Sequence, residues 1–392
     1  MEKLEKESQE LNRESWLYAF ALDTDDEEKA KGITVQCGKA FFETDRRRFT
    51  ILDAPGHKNF VPNMITGAAQ ADVAILIISA RKGEFETGFE KGGQTREHAM
   101  LIKTLGIRKL VVAVNKMDES TVMWSRERFD EIVDKLSPFL KGAGFNLKTE
   151  VEFIPISGFT GYNVFDPIPD GLCKWYTGPT LLSFLDNMPL WDRNISGPFL
   201  MPVVEKYKDN GAVIGGKIES GKVTKGQSIM LMPQKKVLEV VAVFFEETEM
   251  ITAVSGDNVK LKVKGIEEED IATGNVACDV ERPIKTGTVF EVQIAILSCK
   301  SIISCGYSAV MHVHMCSEEV SIVEFLQVID KKTGNPLPKR PFARQGEIVR
   351  AKIEAKSPIC VECFADHPQL GRFSLRDEGK TVAMGKILKI IA

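Results

Sequence analysis

The chain of 392 residues is too long for one ordinary hydrophobic core, so its length predicts two or three domains. With 43% hydrophobic residues and 51 Lys and Arg against 55 Asp and Glu, net charge −4, it reads as globular and lacks the basic excess of a dedicated nucleic-acid binder. Its longest apolar runs are strand-sized and its start, MEKLEKESQE, is charged, so neither a membrane span nor a secretory signal is expected.

Residues 1–18 are charge-rich and read as a helix, and the acidic-then-mixed run over 19–32 reads as a loop or short helical segment. Thr34 follows Gly32-Ile33. Lys39–Asp45 and Arg48–Asp53 predict two strands joined by a basic turn, and the second ends abruptly in Asp53-Ala54-Pro55-Gly56-His57. A helix from about Asn59 to Ala71 follows, then a strand over Val73–Ala80 expected to be buried on both faces. Next come a helix over Gln94–Leu105, a second buried strand over Lys109–Val114, an amphipathic helix over Ser125–Leu140 and a strand over Val151–Ile156. Strands alternating with helices predict a parallel α/β sheet, whose ligands bind at the carboxyl ends of the strands. Asp53, Asn115 and Ser157 all stand at such ends.

The pattern changes near Pro189-Leu190-Trp191 and Gly197-Pro198. Beyond this, short β-prone segments are broken by Ser220-Gly221, Lys225-Gly226, Ser255-Gly256, Thr286-Gly287 and Thr333-Gly334, the pattern of β-barrels or sandwiches. Glu281-Arg282-Pro283 is the expected break between two such domains. The predicted division is 1–192, 197–282 and 284–392.

Three motifs carry chemistry. In Asn115-Lys116-Met117-Asp118, the Asp118 carboxylate can accept both edge N–H donors of guanine, a pair adenine does not offer. Lys116 can lay its stem along the base and Asn115 can tie the loop to its neighbours. An ordinary surface turn after a strand fits the same four residues. Ser157-Gly158, one strand later, can close over the base through its backbone. In the Asp53–His57 turn, Asp53 can hold Mg²⁺ through water, Gly56 lets a backbone N–H approach the terminal phosphate, and His57 is placed to orient the attacking water. Thr34 is the candidate switch threonine, a Mg²⁺ ligand released when the γ-phosphate is lost. The eight scattered cysteines, Cys360-x-x-Cys363 among them, read as reduced thiols. His312-Val-His314 reads as a pair of ordinary strand residues facing one side.

GITV, DAPGH, NKMD and SG, followed by two β-domains, resemble a translational GTPase of the elongation factor 1-alpha-like family. Residues 80–98, ARKGEFETGFEKGGQTREH, and Gly371–Lys380, GRFSLRDEGK, resemble the eukaryotic class II release factor, release factor 3. The resemblance covers essentially the whole chain. It implies an α/β P-loop-type G domain followed by two antiparallel β-barrels, GTP or GDP and Mg²⁺ as ligands, GTP hydrolysis during translation termination, and a cytoplasmic location. It also implies transient ribosome binding and a class I release factor docked on the last barrel, here placed at Arg372, Phe373 and Arg376. The departure is that no G-x-x-x-x-G-K-[ST] run occurs in the sequence. The expectation is therefore an N-terminally truncated G domain lacking its first strand and phosphate loop, with apolar surface or unpaired backbone left between the strands ending at Asp53 and Ala80. No contact with poly(A)-binding protein is expected. The competing expectation is a fragment that binds the class I factor without nucleotide.

Overall fold

A computed structural model of the chain describes residues 37–57, 60–68, 70–90, 93–189, 191, 193–299, 301–329, 335–338 and 340–392. The helix expected over 1–18, the segment 19–32 and Thr34 lie outside them. The chain divides into two compact units, 1–190 and 191–392.

In the first unit, β1 (Gly38–Glu43) and β2 (Arg48–Asp53) form an antiparallel hairpin, with Gly38 opposite Asp53 and Glu43 opposite Arg48. β3 (Val73–Ser79), β4 (Lys109–Asn115) and β5 (Val151–Pro155) form a separate parallel sheet in the order β3-β4-β5. The helices are α1 (Val61–Ala68), α2 (Glu84–Phe89), α3 (Gln94–Leu105), α4 (Arg126–Gly142) and α5 (Leu181–Asn187). β4 is central because every residue from Leu110 to Val114 is apolar and fully buried. α4 begins where the Ser125 hydroxyl accepts the Arg128 N–H at 3.2 Å, and it buries the stripe Phe129, Ile132, Leu136 and Leu140. α3 ends on Gly106 at φ 78°, the left-handed conformation that glycine adopts without strain.

β3 departs from expectation. Leu76 and Ile78 are buried, but Ile75 is 41% and Ile77 is 54% exposed. β3 is the edge of the three-stranded sheet, and no described residue covers its second face. The tip of the β1–β2 hairpin is fastened to the end of α5. Thr44 Oγ1 donates to Asp186 at 2.7 Å, Arg46 donates to Asn187 Oδ1 at 2.6 Å, and the Arg47 guanidinium donates to the Leu185 carbonyl at 3.3 Å and to that of Met188. These arginines meet the carbonyl end of the helix, where a cation is favoured.

The second unit is all β apart from short helical turns. One antiparallel sheet runs Leu200–Pro202, Val276–Asp279, Ser228–Met232, Lys236–Phe245, Asn258–Lys264, Ala212–Lys217, Glu205–Lys208. The other runs Ser308–Val313, Arg372–Asp377, Lys380–Ile390, Thr286–Ile296, Ile348–Cys360, Cys316–Ile329, and Ser308–Val313 pairs with Cys316–Ile329 to close it. Each barrel has its own aliphatic core. Gly221, Gly226 and Gly256 turn the chain at φ 74°, 84° and 98°, as the turn signals predict. Thr286-Gly287 does not turn; it opens a long strand and sits beside a bulge. Thr333-Gly334 lies outside the described residues. The fold is thus a multi-domain one, an α/β domain followed by two antiparallel β-barrels.

Candidate functional site

The parallel register of β4 and β5 places the loops after Asn115 and Pro155 side by side. The chain turns sharply at Lys116, which has φ 63°. Asn115 Oδ1 accepts the Lys116 N–H at 2.7 Å and the Gly158 N–H at 2.8 Å, so one side-chain oxygen ties both loops together. A Cβ on Gly158 would lie 3.3 Å from Asn115 Nδ2, tight enough to press the loops apart. Beneath them Met117 is fully buried, and its N–H donates to the Ile156 carbonyl at 3.2 Å. Ser157 is also buried, with Oγ accepting the Thr160 N–H at 3.1 Å. Asp118 is half-buried on this frame, and its carboxylate makes no hydrogen bond or ion pair with a described residue.

Lys116 has a partner that sequence reasoning missed. Its ammonium donates to Glu84 Oε2 at 2.7 Å; Ser79 Oγ donates to the same oxygen at 2.7 Å, and Arg81 donates to Oε1 at 3.3 Å. The hydrogen bonds from Lys116 and Ser79 hold the Glu84 carboxyl below the usual carboxylate range. No local spacing signals a pair whose members are 32 residues apart.

Asp53, Gly56 and His57 form a second group, at the carboxyl end of β2, which is not a strand of the β3-β4-β5 sheet. Asp53 is half-buried, Gly56 is exposed with open space where a Cβ would stand, and the His57 ring lies 5.9 Å from that of Phe60. The structure therefore brings Asn115, Lys116, Asp118, Ser157 and Gly158 together, and places the β2-end residues as a separate group.

On the last barrel the expected docking anchors need correction. Phe373 is only 2% exposed, and its ring lies against Gly385, where a Cβ would meet Cζ at 2.2 Å. Arg376 is 5% exposed and donates to Thr381 Oγ1 at 2.8 Å and to the Gly379 carbonyl at 2.7 Å. Both side chains are buried in the barrel and are not available as exposed anchors. Arg372 remains half-buried, 5.0 Å over the Phe364 ring.

His312 and His314 do not share a strand face. The strand ends at Val313; His314 leaves it at φ 40° and donates from Nε2 to the Cys360 carbonyl at 2.8 Å. Burial pushes both imidazoles down to about 4. Every described cysteine is a free thiol, and no described cluster of His, Cys, Asp and Glu could hold a metal ion. No described helix is long and apolar enough to cross a membrane.

A parallel sheet whose strand ends carry an Asn-Lys-x-Asp loop tied to a Ser-Gly loop, followed by two β-barrels, defines a G-domain protein of the elongation-factor class. The chain belongs to the elongation factor Tu GTP binding domain family, which matches residues 1–209; elongation factor Tu domain 2 matches 211–278, and a GTP-eEF1A C-terminal domain-like family matches 289–388. Over its full length it is similar to the eukaryotic peptide chain release factor GTP-binding subunits of Candida maltosa (52% identity) and Schizosaccharomyces pombe (50%), of which it spans 55% and 59%. The chain thus spans little more than half the length of these relatives. Among solved structures it is similar to sup35 complexed with GDP (45% identity, TM-score 0.50, covering 95% of this chain and 89% of that one). It also shares the fold of the S. cerevisiae Ski7 GTPase-like domain, with TM-score 0.78 at 19% identity, covering 99% of this chain and 90% of that one.

Proposed function

We propose that the chain is the guanine-nucleotide switch of translation termination. It binds GTP and GDP, assists a class I release factor at stop codons and hydrolyses GTP on the ribosome. The observation that carries this reading is the Asn115 tie between the Lys116–Asp118 and Ser157-Gly158 loops, beside which stands the half-buried Asp118 carboxylate. The similarity to release-factor subunits supplies the process.

In this reading Asp118 accepts the two N–H donors of guanine and the Gly158 backbone closes over the base. Asp53 offers a hard carboxylate oxygen at a strand end, which suits Mg²⁺ held through water, with Thr34 as the second ligand. Mg²⁺, when bound, neutralises charge on the terminal phosphates. Gly56 has open space where a Cβ would stand, so a γ-phosphate can come close to its backbone. His57 orients the attacking water, because phosphoryl transfer needs positioning and charge stabilisation more than covalent chemistry. The class I factor docks on the outside of the last barrel, with Arg372 at the contact and Phe373 and Arg376 shaping the strand that presents it.

A titration of fluorescent GTP against the chain with Mg²⁺, paired with a pull-down of a class I release factor, tests the proposal. Saturable binding of both supports it. Partner binding without nucleotide binding leaves only a docking module, the reading to which the lack of a G-x-x-x-x-G-K-[ST] run in these 392 residues would then point.

A further inference from the structure

Lys116 leaves its loop from a left-handed backbone, so the direction of its stem depends on what holds its far end. That end is held by Glu84, whose carboxylate receives Lys116, Ser79 and Arg81 together. Glu84 itself stands on a fixed stretch. Its neighbour Phe85 is buried, and Glu86 pairs at 3.0 Å with Arg128, whose guanidinium is buried and also donates to the Ala80 carbonyl at 2.8 Å. The Ala80 N–H donates to the Asn115 carbonyl at 2.8 Å, so the end of β3 and the end of β4 keep a constant separation. The pair therefore joins the first turn of α2 to the loop after β4, and with side chains 48% and 39% exposed it has the modest strength of an exposed ion pair.

We propose that Glu84 is a positioning residue for guanine nucleotide. By holding the Lys116 ammonium, it lays the Lys116 stem along the base and lengthens the time the nucleotide stays bound. This rests on the guanine reading of the Asn115–Asp118 loop. It gives the 80–98 segment a role at the nucleotide site, through a residue that never touches the nucleotide. A nucleotide that covers the stem also excludes water from the pair and strengthens it.

The test is stopped-flow release of fluorescent GDP from the whole chain, comparing wild type, Glu84→Gln, Lys116→Met and the double variant. Glu84→Gln is expected to speed release by roughly 1.5-fold to fivefold, the range open to an exposed ion pair. The gain should shrink as KCl is raised. In the Lys116→Met background Glu84→Gln should change nothing, which a merely structural role for Glu84 would not produce. Unchanged release in Glu84→Gln, or equal acceleration in both backgrounds, overturns the proposal while leaving the guanine reading intact. A wild-type chain that retains no GDP overturns the guanine reading and the proposal with it.

Discussion

Asn115 shows how much of a site can rest on one atom. Its Oδ1 satisfies two backbone donors from two loops, and removing it would lose both hydrogen bonds, worth about 0.5–1.5 kcal/mol each because Lys116 and Gly158 are exposed and their N–H groups can turn to water. The shared place of Asn115, Lys116 and Asp118 was legible because they sit in one turn after one strand, so spacing alone fixes their neighbourhood. The Glu84 contact was not legible, since it depends on how the ends of β3 and β4 are held together. His57 lies between these cases: its place after Asp53 and Gly56 is readable, but its action depends on a bound phosphate. His57→Ala is expected to slow GTP hydrolysis by about 10²-fold or more while leaving the GTP dissociation constant within about twofold. Single-turnover hydrolysis beside equilibrium titration measures this, and a large loss of affinity would contradict the assignment.

At the scale of elements, periodicity located strands and helices well but did not decide which faces are covered. The run Val73–Ile78 is apolar throughout, which reads as a strand buried twice over, yet Ile75 and Ile77 stand on a face that the described residues leave partly open. The strand Arg372–Asp377 errs the other way. Phe and Arg are residue types common at interface hot spots, but the Phe373 ring lies in the barrel core and Arg376 is buried with its guanidinium bonded to Thr381 and Gly379. Phe373→Ala should therefore destabilise the chain by about 3–5 kcal/mol through the cavity it leaves over Gly385. A denaturant melt checks this, and an unchanged midpoint with lost partner binding would restore Phe373 as a direct anchor. The β1–β2 hairpin adds a link that sequence did not signal. Its tip, through Thr44, Arg46 and Arg47, is fastened to the end of α5 and to the Met188 carbonyl, close to where the first unit ends.

At the scale of the whole molecule, the α/β unit was readable from alternating strand and helix patterns and the β-rich remainder from the Gly turns, while barrels over sandwiches came from the family resemblance. Closure of the last barrel was not, since it depends on the pairing of Ser308–Val313 with Cys316–Ile329. This barrel carries the clearest pH dependence in the chain. His314 donates from Nε2 to a carbonyl, its Nδ1 has no partner among the described residues, and protonation there would bury an unpaired charge. His312 is also held neutral, by burial and by the nearby Arg376. With folded values near 4 against the ordinary 6.5, the unfolded chain binds more protons between these limits. The stability these rings contribute is complete above about pH 6.5 and is lost as pH falls toward 4. The denaturation midpoint should drop between pH 7 and pH 5, and His314→Asn, which tolerates the left-handed backbone, should reduce that drop. An identical drop in the variant would remove His314 from the explanation.

The central claim is that the loops after β4 and β5 read guanine through Asp118. It is tested most directly by competing GTP, ATP and xanthosine triphosphate against fluorescent GDP on the wild-type chain and on Asp118→Asn. The account predicts that wild type prefers GTP strongly over both competitors, and that the variant loses about 2 kcal/mol or more of its preference for guanine over xanthine, because the half-buried acceptor no longer matches the base edge. Equal discrimination in the two proteins would contradict it.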